Sequence, residues 1–452
     1  MKNNMETIRT RMAPSPTGFL HIGSGRTAFF NYIFAKQNKG QIILRVEDTD
    51  KKRSTKEFED DILDGFEWLN IKFDENYRQS ERSENYKKYL EKLIKGGKAF
   101  ISKEENIKEG GRKEVIRFKN PNTKISFTDI IRGEIEFDTS DLGDFVIAKS
   151  LDEPLYNFAV VVDDFEMNIT HIIRGEDHIS NTPRQILLQK AIGASLPIYA
   201  HLPLILAPDK SKMSKRHGAV SVNEYRKQGY LNVAVLNYLA LLGWNPGTEQ
   251  EIFSLDELIE KFDLKKVQKS GAIFNIEKLN WINKEHIKLM ESNDFEQKVL
   301  KFLPDKTNKL AVGDKKILKK ILPVIKERIE KFDDVTKMTE AGDLDYYFLQ
   351  PDYEIEKILW KDEKDLGNTQ KHLEKNVELL ESVINWTAEN IKNKIWDYAT
   401  EQGRGSVLWP MRYALSGKDK SPDPFILAEV LGKEETIQRL NYAIKEINSK
   451  SK

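Results

Sequence analysis

The stretch Met12-Ala13-Pro14-Ser15-Pro16-Thr17-Gly18-Phe19-Leu20-His21-Ile22-Gly23-Ser24 constrains this chain more than any other. Residues 7–12 (TIRTRM) mix β-branched and apolar residues with charges and read as a short strand. Pro14, Pro16 and Gly18 then exclude regular structure and force a turn. Ala28, Phe29, Tyr32, Ile33 and Ala35 recur at helical spacing up to Lys39-Gly40. A strand, a loop and a helix in this order leave unpaired backbone N–H groups at the helix start, where phosphate binds. His21, in the loop, offers a donor to a phosphate whose charge is changing. Gly23 has no side chain, so a nucleotide base or ribose fits against the backbone. About 190 residues later, Ser211-Lys212-Met213-Ser214-Lys215-Arg216 gathers three cations within five residues, a pattern suited to a triphosphate. Alone, a His-Ile-Gly recurs by chance and a lysine-rich loop is usually only solvated. The pairing, in this order, carries the signal.

Other stretches add to the same site. Gln41–Glu47 is an apolar run of strand length and reads as a buried parallel strand. Glu47, Asp48 and Asp50 follow where open α/β sheets place ligands. A carboxylate at Glu47 suits an α-ammonium group, whereas Asp48 and Asp50 read equally as a helix cap and a solvated loop. Residues 56–69 and 84–94 are amphipathic helices whose stripes are core. From about Lys98, short strand-like pieces (115–119, 125–127, 130–131, 134–137, 145–149) break the strand–helix alternation. The apolar run Tyr156–Asp164 is expected as a buried strand, and so is Thr170–Arg174. Arg174 and Arg11 each end a strand, and two guanidinium groups suit a dicarboxylate. The competing role for such arginines is a structural ion pair with Glu47 or Glu176. Asn181 or Thr182 with Pro183 marks a helix start, and residues 198–206 read as a strand leading into the lysine loop. Residues 231–242 and 255–262 are further helices, and from about Leu303 the chain is helical and lysine-rich.

Composition narrows the possibilities. The 452 residues allow two to four domains and a sizeable core. No run of eighteen apolar residues occurs, so no membrane span is expected. The first residues have neither a signal-peptide apolar region nor the character of a transit peptide, and a cytoplasmic protein is expected. The absence of cysteine excludes disulfides, thiolate nucleophiles and cysteine-ligated zinc. Seven scattered histidines do not suggest a histidine-only metal cage. Seventy-two basic against seventy-two acidic residues do not announce a nucleic-acid binder, because phosphate affinity needs clustered charge.

The two signature stretches resemble the HIGH and KMSKS motifs of class I aminoacyl-tRNA synthetases. The surrounding words 11–18 (RMAPSPTG), 45–50 (RVEDTD) and 173–178 (IRGEDH) resemble the glutamyl branch of that family. The resemblance covers essentially the whole length, tightly to about Trp281 and more loosely beyond. It implies an α/β fold: a Rossmann-like catalytic domain split by a connective insertion, then a stem-contact region and an all-helical anticodon-binding domain. The divisions expected are 1–95 and 154–212 for the catalytic halves, 96–153 for an insertion handling the tRNA acceptor end, 213–302 for the lysine loop and stem contact, and 303–452 for the anticodon domain.

The implied activity is ATP-dependent ligation of L-glutamate to tRNA(Glu), through glutamyl-adenylate and transfer to the terminal 2′-hydroxyl. By resemblance, His21, Lys212 and Lys215 are catalytic. Pro14, His21, Gly23, Ser24, Glu176 and Lys215 bind ATP, with Glu176 near the ribose. Arg11, Ser15, Glu47, Tyr156 and Arg174 bind glutamate. Ser24 departs from the superfamily motif, which has a second histidine there; small residues are usual at this place in the glutamyl branch. Magnesium is expected to arrive with ATP. No zinc is expected, since Ala99-Phe100-Ile101-Ser102 stands where many relatives carry cysteines. A monomer without membrane contact is expected. The alternatives are an enzyme that also charges tRNA(Gln), which the catalytic half does not distinguish, and a catalytically silent tRNA-binding protein. A glutaminyl enzyme fits the two arginines less well, and the full-length C-terminal region disfavours a truncated tRNA-modifying paralogue.

Overall fold

The structure is a computed structural model that describes residues 7–104, 113–211, 213, 221–352, 354–361 and 363–450. It divides into two compact units, Met1–His286 and Ile287–Lys452. The first opens with β1 (Arg9–Met12), α1 (Ile22–Gln37), β2 (Gln41–Val46), α2 (Lys56–Trp68), β3 (Glu75–Arg78) and α3 (Ser83–Lys95). These three strands form a parallel sheet in the order β1-β2-β3. β2 is buried along nearly its whole length, as its unbroken Ile42-Ile43-Leu44 run requires.

Strands β4 (Ala99–Lys103), β5 (Glu114–Phe118), β6 (Lys124–Asp129), β7 (Gly133–Asp138), β8 (Phe145–Ser150) and β9 (Glu153–Pro154) follow. They do not form one body. β4-β5-β8-β9 make an antiparallel sheet, whereas the β6–β7 hairpin pairs with β11 (Ile198–Leu202). Residues 130–131, expected in a strand, lie in the turn of that hairpin, where Gly133 has φ +84°.

The stretch expected as a strand at 156–164 is a helix, α4 (Tyr156–Glu166). An apolar run buried on all sides shows no period, so pattern alone does not separate strand from helix. Residues Phe158 to Asp164 are all buried, and this helix sits among the apolar side chains of α3, β8 and α5 (Thr182–Ile192). β10 (His171–Gly175) opens a second sheet, β10-β11-β6-β7, and the residue before it is bonded to β1. The Thr170 N–H donates to the Arg9 carbonyl (3.0 Å), and the Arg9 N–H donates to Thr170 Oγ1 (2.9 Å). Asn31 of α1 ties the two strands from beneath. Its side-chain N–H donates to the Ile173 carbonyl (2.9 Å), and its own carbonyl accepts from Thr10 Oγ1 (3.2 Å). The chain therefore leaves β1 toward β2 on one side and β10 on the other, which opens a crevice at their C-terminal ends.

Beyond β11, the expected single strand breaks at Pro203 and resumes as β12 (Ile205–Leu206). Helices α6 (Val222–Lys227), α7 (Asn232–Leu241) and α8 (Leu255–Lys261), strand β13 (Ala272–Ile273), which pairs with β12, and helix α9 (Ile276–Lys288) complete the series. The second unit is helical throughout its described residues, from α10 (Ser292–Phe302) to α19 (Lys433–Lys450).

One ionic cluster joins β1, β2, α3 and α4. Arg45 of β2 is wholly buried. Its guanidinium reaches Asp164 Oδ1 (2.7 Å), Glu47 Oε1 (2.9 Å) and Asp163 Oδ2 (3.7 Å). Asp163 also accepts from Arg82 Nε (2.7 Å), Gln79 Nε2 (2.9 Å) and the Tyr86 hydroxyl (2.8 Å). Arg11 approaches Asp164 at 3.3 Å. Burial works against the Arg45 charge, but Asp164, Glu47 and Asp163 outweigh it and raise its pKa above the ordinary arginine value. Breaking such a cluster strands a buried carboxylate. Arg45→Leu should therefore lower the unfolding free energy by about 3–5 kcal/mol in a denaturant titration. Arg53→Ala, which cuts only the exposed Arg53–Asp50 pair, should leave the midpoint unchanged.

Candidate active site

The loop from β1 to α1 folds over the C-terminal ends of the parallel strands. Its prolines are held there by backbone bonds: the Pro14 carbonyl accepts from the Glu47 N–H (2.9 Å) and the Pro16 carbonyl from the Thr55 N–H (3.1 Å). Leu20 is pinned on both sides, its N–H donating to Asp61 (2.8 Å) and its carbonyl accepting from the Val222 N–H (2.8 Å). A cavity of about 670 Å³ lies beneath this loop. Arg11, Pro14, Ser15, His21, Gly23, Ser24, Glu47, Tyr156 and Arg174 all line it. Nine residues singled out in the sequence thus meet in one place. Lys212 and Lys215 lie outside the described residues. Glu176 does not line the cavity. It meets Arg132 and accepts the Leu204 N–H (2.7 Å), so it braces the wall behind.

His21 caps α1 from an exposed position. Its Nδ1 accepts the Ser24 N–H at 3.2 Å, which places the ring proton on Nε2. Nε2 then lies 3.0 Å from Ser24 Oγ, with the hydroxyl as acceptor. Gly23 serves this ring directly. A Cβ there would stand 3.0 Å from His21 Nδ1 and 3.1 Å from Cε1. The close approach that glycine allows here is to a neighbouring side chain of the same loop.

The far wall is cationic. Arg174 is buried, and neutral acceptors hold it on three edges. Nε donates to His201 Nε2 (3.1 Å), one Nη to Gln185 Oε1 (2.8 Å) and the other to Thr182 Oγ1 (2.8 Å). Neither Glu47 nor Glu176, its expected ion-pair partners, pairs with it. Glu47 engages Arg45 and Glu176 engages Arg132. Burial lowers the Arg174 pKa, and no described carboxylate lies within ion-pair distance to offset the loss. Arg11, Arg45 and Arg82 pair with Glu47, Asp163 and Asp164, and Arg174 pairs with none of these carboxylates. Burial pushes the Glu47 carboxyl up against the pull of Arg45 and Arg11. The Tyr156 hydroxyl is 3.3 Å from His178 Nδ1, and burial raises its pKa. His178 is pushed down to about 4, by burial first and then by Arg174, so its ring is neutral.

Arg26 escaped the sequence reading. It lines the cavity from α1 and is buried, with one Nη donating to the Leu242 carbonyl (2.9 Å) and the other to the Pro203 carbonyl. Its pKa is lowered to about 10 by burial, with Glu176 opposing. An arginine two residues before the apolar Ala28-Phe29-Phe30 run of a helix was the available signal. Among the described residues no group of three His, Cys, Asp or Glu side chains is disposed to hold a metal, and no helix is long and apolar enough to cross a membrane.

Comparisons with known proteins agree on one family. Residues 7–110 and 101–281 match the class I tRNA synthetases (E and Q), catalytic domain, and residues 294–444 match an anticodon binding domain. Glutamate–tRNA ligase 1 of Caldanaerobacter subterraneus subsp. tengcongensis is 41% identical, over 99% of this chain and all of its own length. Glutamate–tRNA ligase of Francisella tularensis subsp. tularensis is 40% identical, over 97% of this chain and 99% of its own. Among solved structures, a glutamate tRNA ligase from Elizabethkingia meningosepticum in complex with its amino acid superposes with a TM-score of 0.83 at 34% identity. It covers 98% of this chain and 100% of that one.

The His21–Gly23 contact yields a structural test. In Gly23→Ala the His21 ring must shift by a few tenths of an ångström, while the unfolding free energy holds or rises by up to about 1 kcal/mol, the helix preference of alanine over glycine. A crystal structure of the variant with the His21 ring unmoved would refute the contact.

Proposed function

Because this chain belongs to the glutamate–tRNA ligases of the class I tRNA synthetases, we propose that the Arg174 wall of the cavity holds the side-chain carboxylate of L-glutamate and the His21 helix start holds the phosphates of ATP. Ligation of glutamate to tRNA is the reaction of the family and of this chain. The observation that carries the assignment is that Arg174, buried in the cavity wall, makes no ion pair with any described carboxylate. Five N–H donors sit on a guanidinium, and three here are taken by neutral acceptors. The remaining two match a carboxylate far better than a neutral amide. Arg11 supports the same wall. Glu47 gives Oε1 to Arg45 and retains Oε2 for the α-ammonium, while Tyr156 and Ser15 complete the pocket.

In the first step an α-carboxylate oxygen of glutamate attacks the α-phosphorus of ATP, and pyrophosphate leaves as the anhydride bond breaks. The chemistry needs positioning and charge stabilisation more than a nucleophilic side chain. His21 Nε2–H, Ser24 and the α1 amides serve one side of the phosphates; Pro14 and Gly23 leave room for the nucleoside. Lys212 and Lys215 close from the other side, and Glu176, through the wall it braces, borders the ribose. Magnesium arrives with ATP. In the second step the terminal 2′-hydroxyl of tRNA(Glu) attacks the adenylate carbonyl and AMP leaves. Residues 96–153 serve the acceptor end, 213–302 the stem and 303–452 the anticodon, in a cytoplasmic monomer.

Charging assays with purified tRNA(Glu) and tRNA(Gln) side by side test this reading, and glutamylation of tRNA(Glu) is the expected result. Glutamylation of tRNA(Gln) as well would mean the same chemistry with a looser anticodon reader. Charging of neither by folded protein would overturn it. Arg174→Ala should raise KM for glutamate about 10- to 100-fold, the worth of charged hydrogen bonds, and leave KM for ATP within about twofold. Equal loss for both substrates would refute the carboxylate assignment.

A further inference from the structure

Three adjacent strands place Arg174, His201 and Asp129 in a row. Arg174 of β10 stands opposite His201 of β11, and Asp129 ends β6, the inserted strand next to β11. All three are buried, His201 completely. Asp129 Oδ2 lies 2.7 Å from His201 Nδ1 and accepts the His201 backbone N–H at 3.0 Å. Its Oδ1 accepts the N–H groups of Ile131 and Arg132, each at 2.9 Å, so the hairpin turn locks the carboxylate against rotation. A guanidinium Nε is only a donor, so His201 Nε2 must be the acceptor and the imidazole proton must sit on Nδ1. Asp129 enforces that tautomer. The Thr182 hydroxyl, 3.3 Å from Nε2, has its own acceptor in the His178 carbonyl at 3.2 Å. With Nε2 accepting from Arg174 the ring is neutral and adds no second cation beside it; burial lowers the His201 pKa in the same sense, against Asp129.

We propose that Asp129 and His201 are positioning residues that fix the Arg174 guanidinium and thereby set the preference for a carboxylate side chain over an amide. Neither lines the cavity. Each acts through Arg174, and the inference rests on the assignment of Arg174 to the glutamate side chain. With the proton on Nε2 instead, an N–H would face the Nε–H of Arg174, and the guanidinium plane would lose its only bond on that edge. The specificity of the pocket then depends on a hairpin that belongs, by sequence, to the insertion between the catalytic halves.

Asp129→Asn is the nearly isosteric test. With its amide oxygen kept by the turn, the amide NH2 faces Nδ1 and drives the proton to Nε2, while the His201 backbone N–H loses its acceptor. Histidine 15N spectra of the full chain, with His201→Gln to assign the resonance, should show Nδ1–H in the parent and Nε2–H in Asp129→Asn. Glutamylation of tRNA(Glu) by that variant should show KM for glutamate raised about tenfold, the effect of one unmade bond to a charged group, and KM for ATP within about twofold. Its kcat/KM preference for glutamate over glutamine should fall. His201→Gln, whose amide oxygen accepts from Arg174 without a tautomer, should retain most of that preference. An inverted tautomer with unchanged KM for glutamate, while Arg174→Ala raises it, would overturn the relay alone. Unchanged KM in Arg174→Ala would overturn the carboxylate assignment and the relay with it. Equal rises for glutamate and ATP with a lowered melting temperature would assign Asp129 a merely structural role.

Discussion

The catalytic unit is organised around a charge that cannot reach water. Arg45 lies on the central strand of the first sheet with no exposed side-chain surface, and its three carboxylate partners come from two other parts of the chain. Two are the adjacent aspartates of α4, 118 and 119 residues away, and one is Glu47 on the loop after its own strand. Desolvating such a group is tolerable only if every oxygen around it stays in place. That demand propagates outward. It sets the rotation of α4, hence the position of Tyr156 at its first turn, and it leaves Arg11 between Asp164 and the cavity.

The balance of charge has a further effect. Three arginines meet three carboxylates in and around the cluster, so each of those carboxylates is already engaged. Arg174 stands just beyond it, held by His201, Gln185 and Thr182 and by no anion. A neutral cradle fixes the guanidinium geometry without spending its attraction. Under the proposed assignment, the preference for an acid over an amide follows from these neutral partners as much as from the arginine itself.

Much of this was legible from local pattern. The strand, proline turn and helix around His21, the apolar β2 run and the arginine ending β10 each announce themselves within a dozen residues. The misreading of α4 as a strand has a plain cause, since a wholly buried segment carries no amphipathic period. Arg26 and the Asp129–His201 pair were not legible, because their partners lie 27 to 216 residues away. The bonds of Asp129 depend on strand β6 inserting beside β11, a pairing that sequence order does not suggest.

The bond between the Leu20 carbonyl and the Val222 N–H, with Ser221 bridged to His21, ties the proline turn to a point ten residues beyond Ser211 in the chain. Met213 and Ser221 both line the cavity, and the Met213 N–H donates to the Ile205 carbonyl at 3.2 Å. The two ends of this stretch are thus fixed on the wall of one cavity. Closing a segment between fixed ends costs an entropy that grows only slowly with length, so residues added between Met213 and Ser221 would leave both anchors where they are.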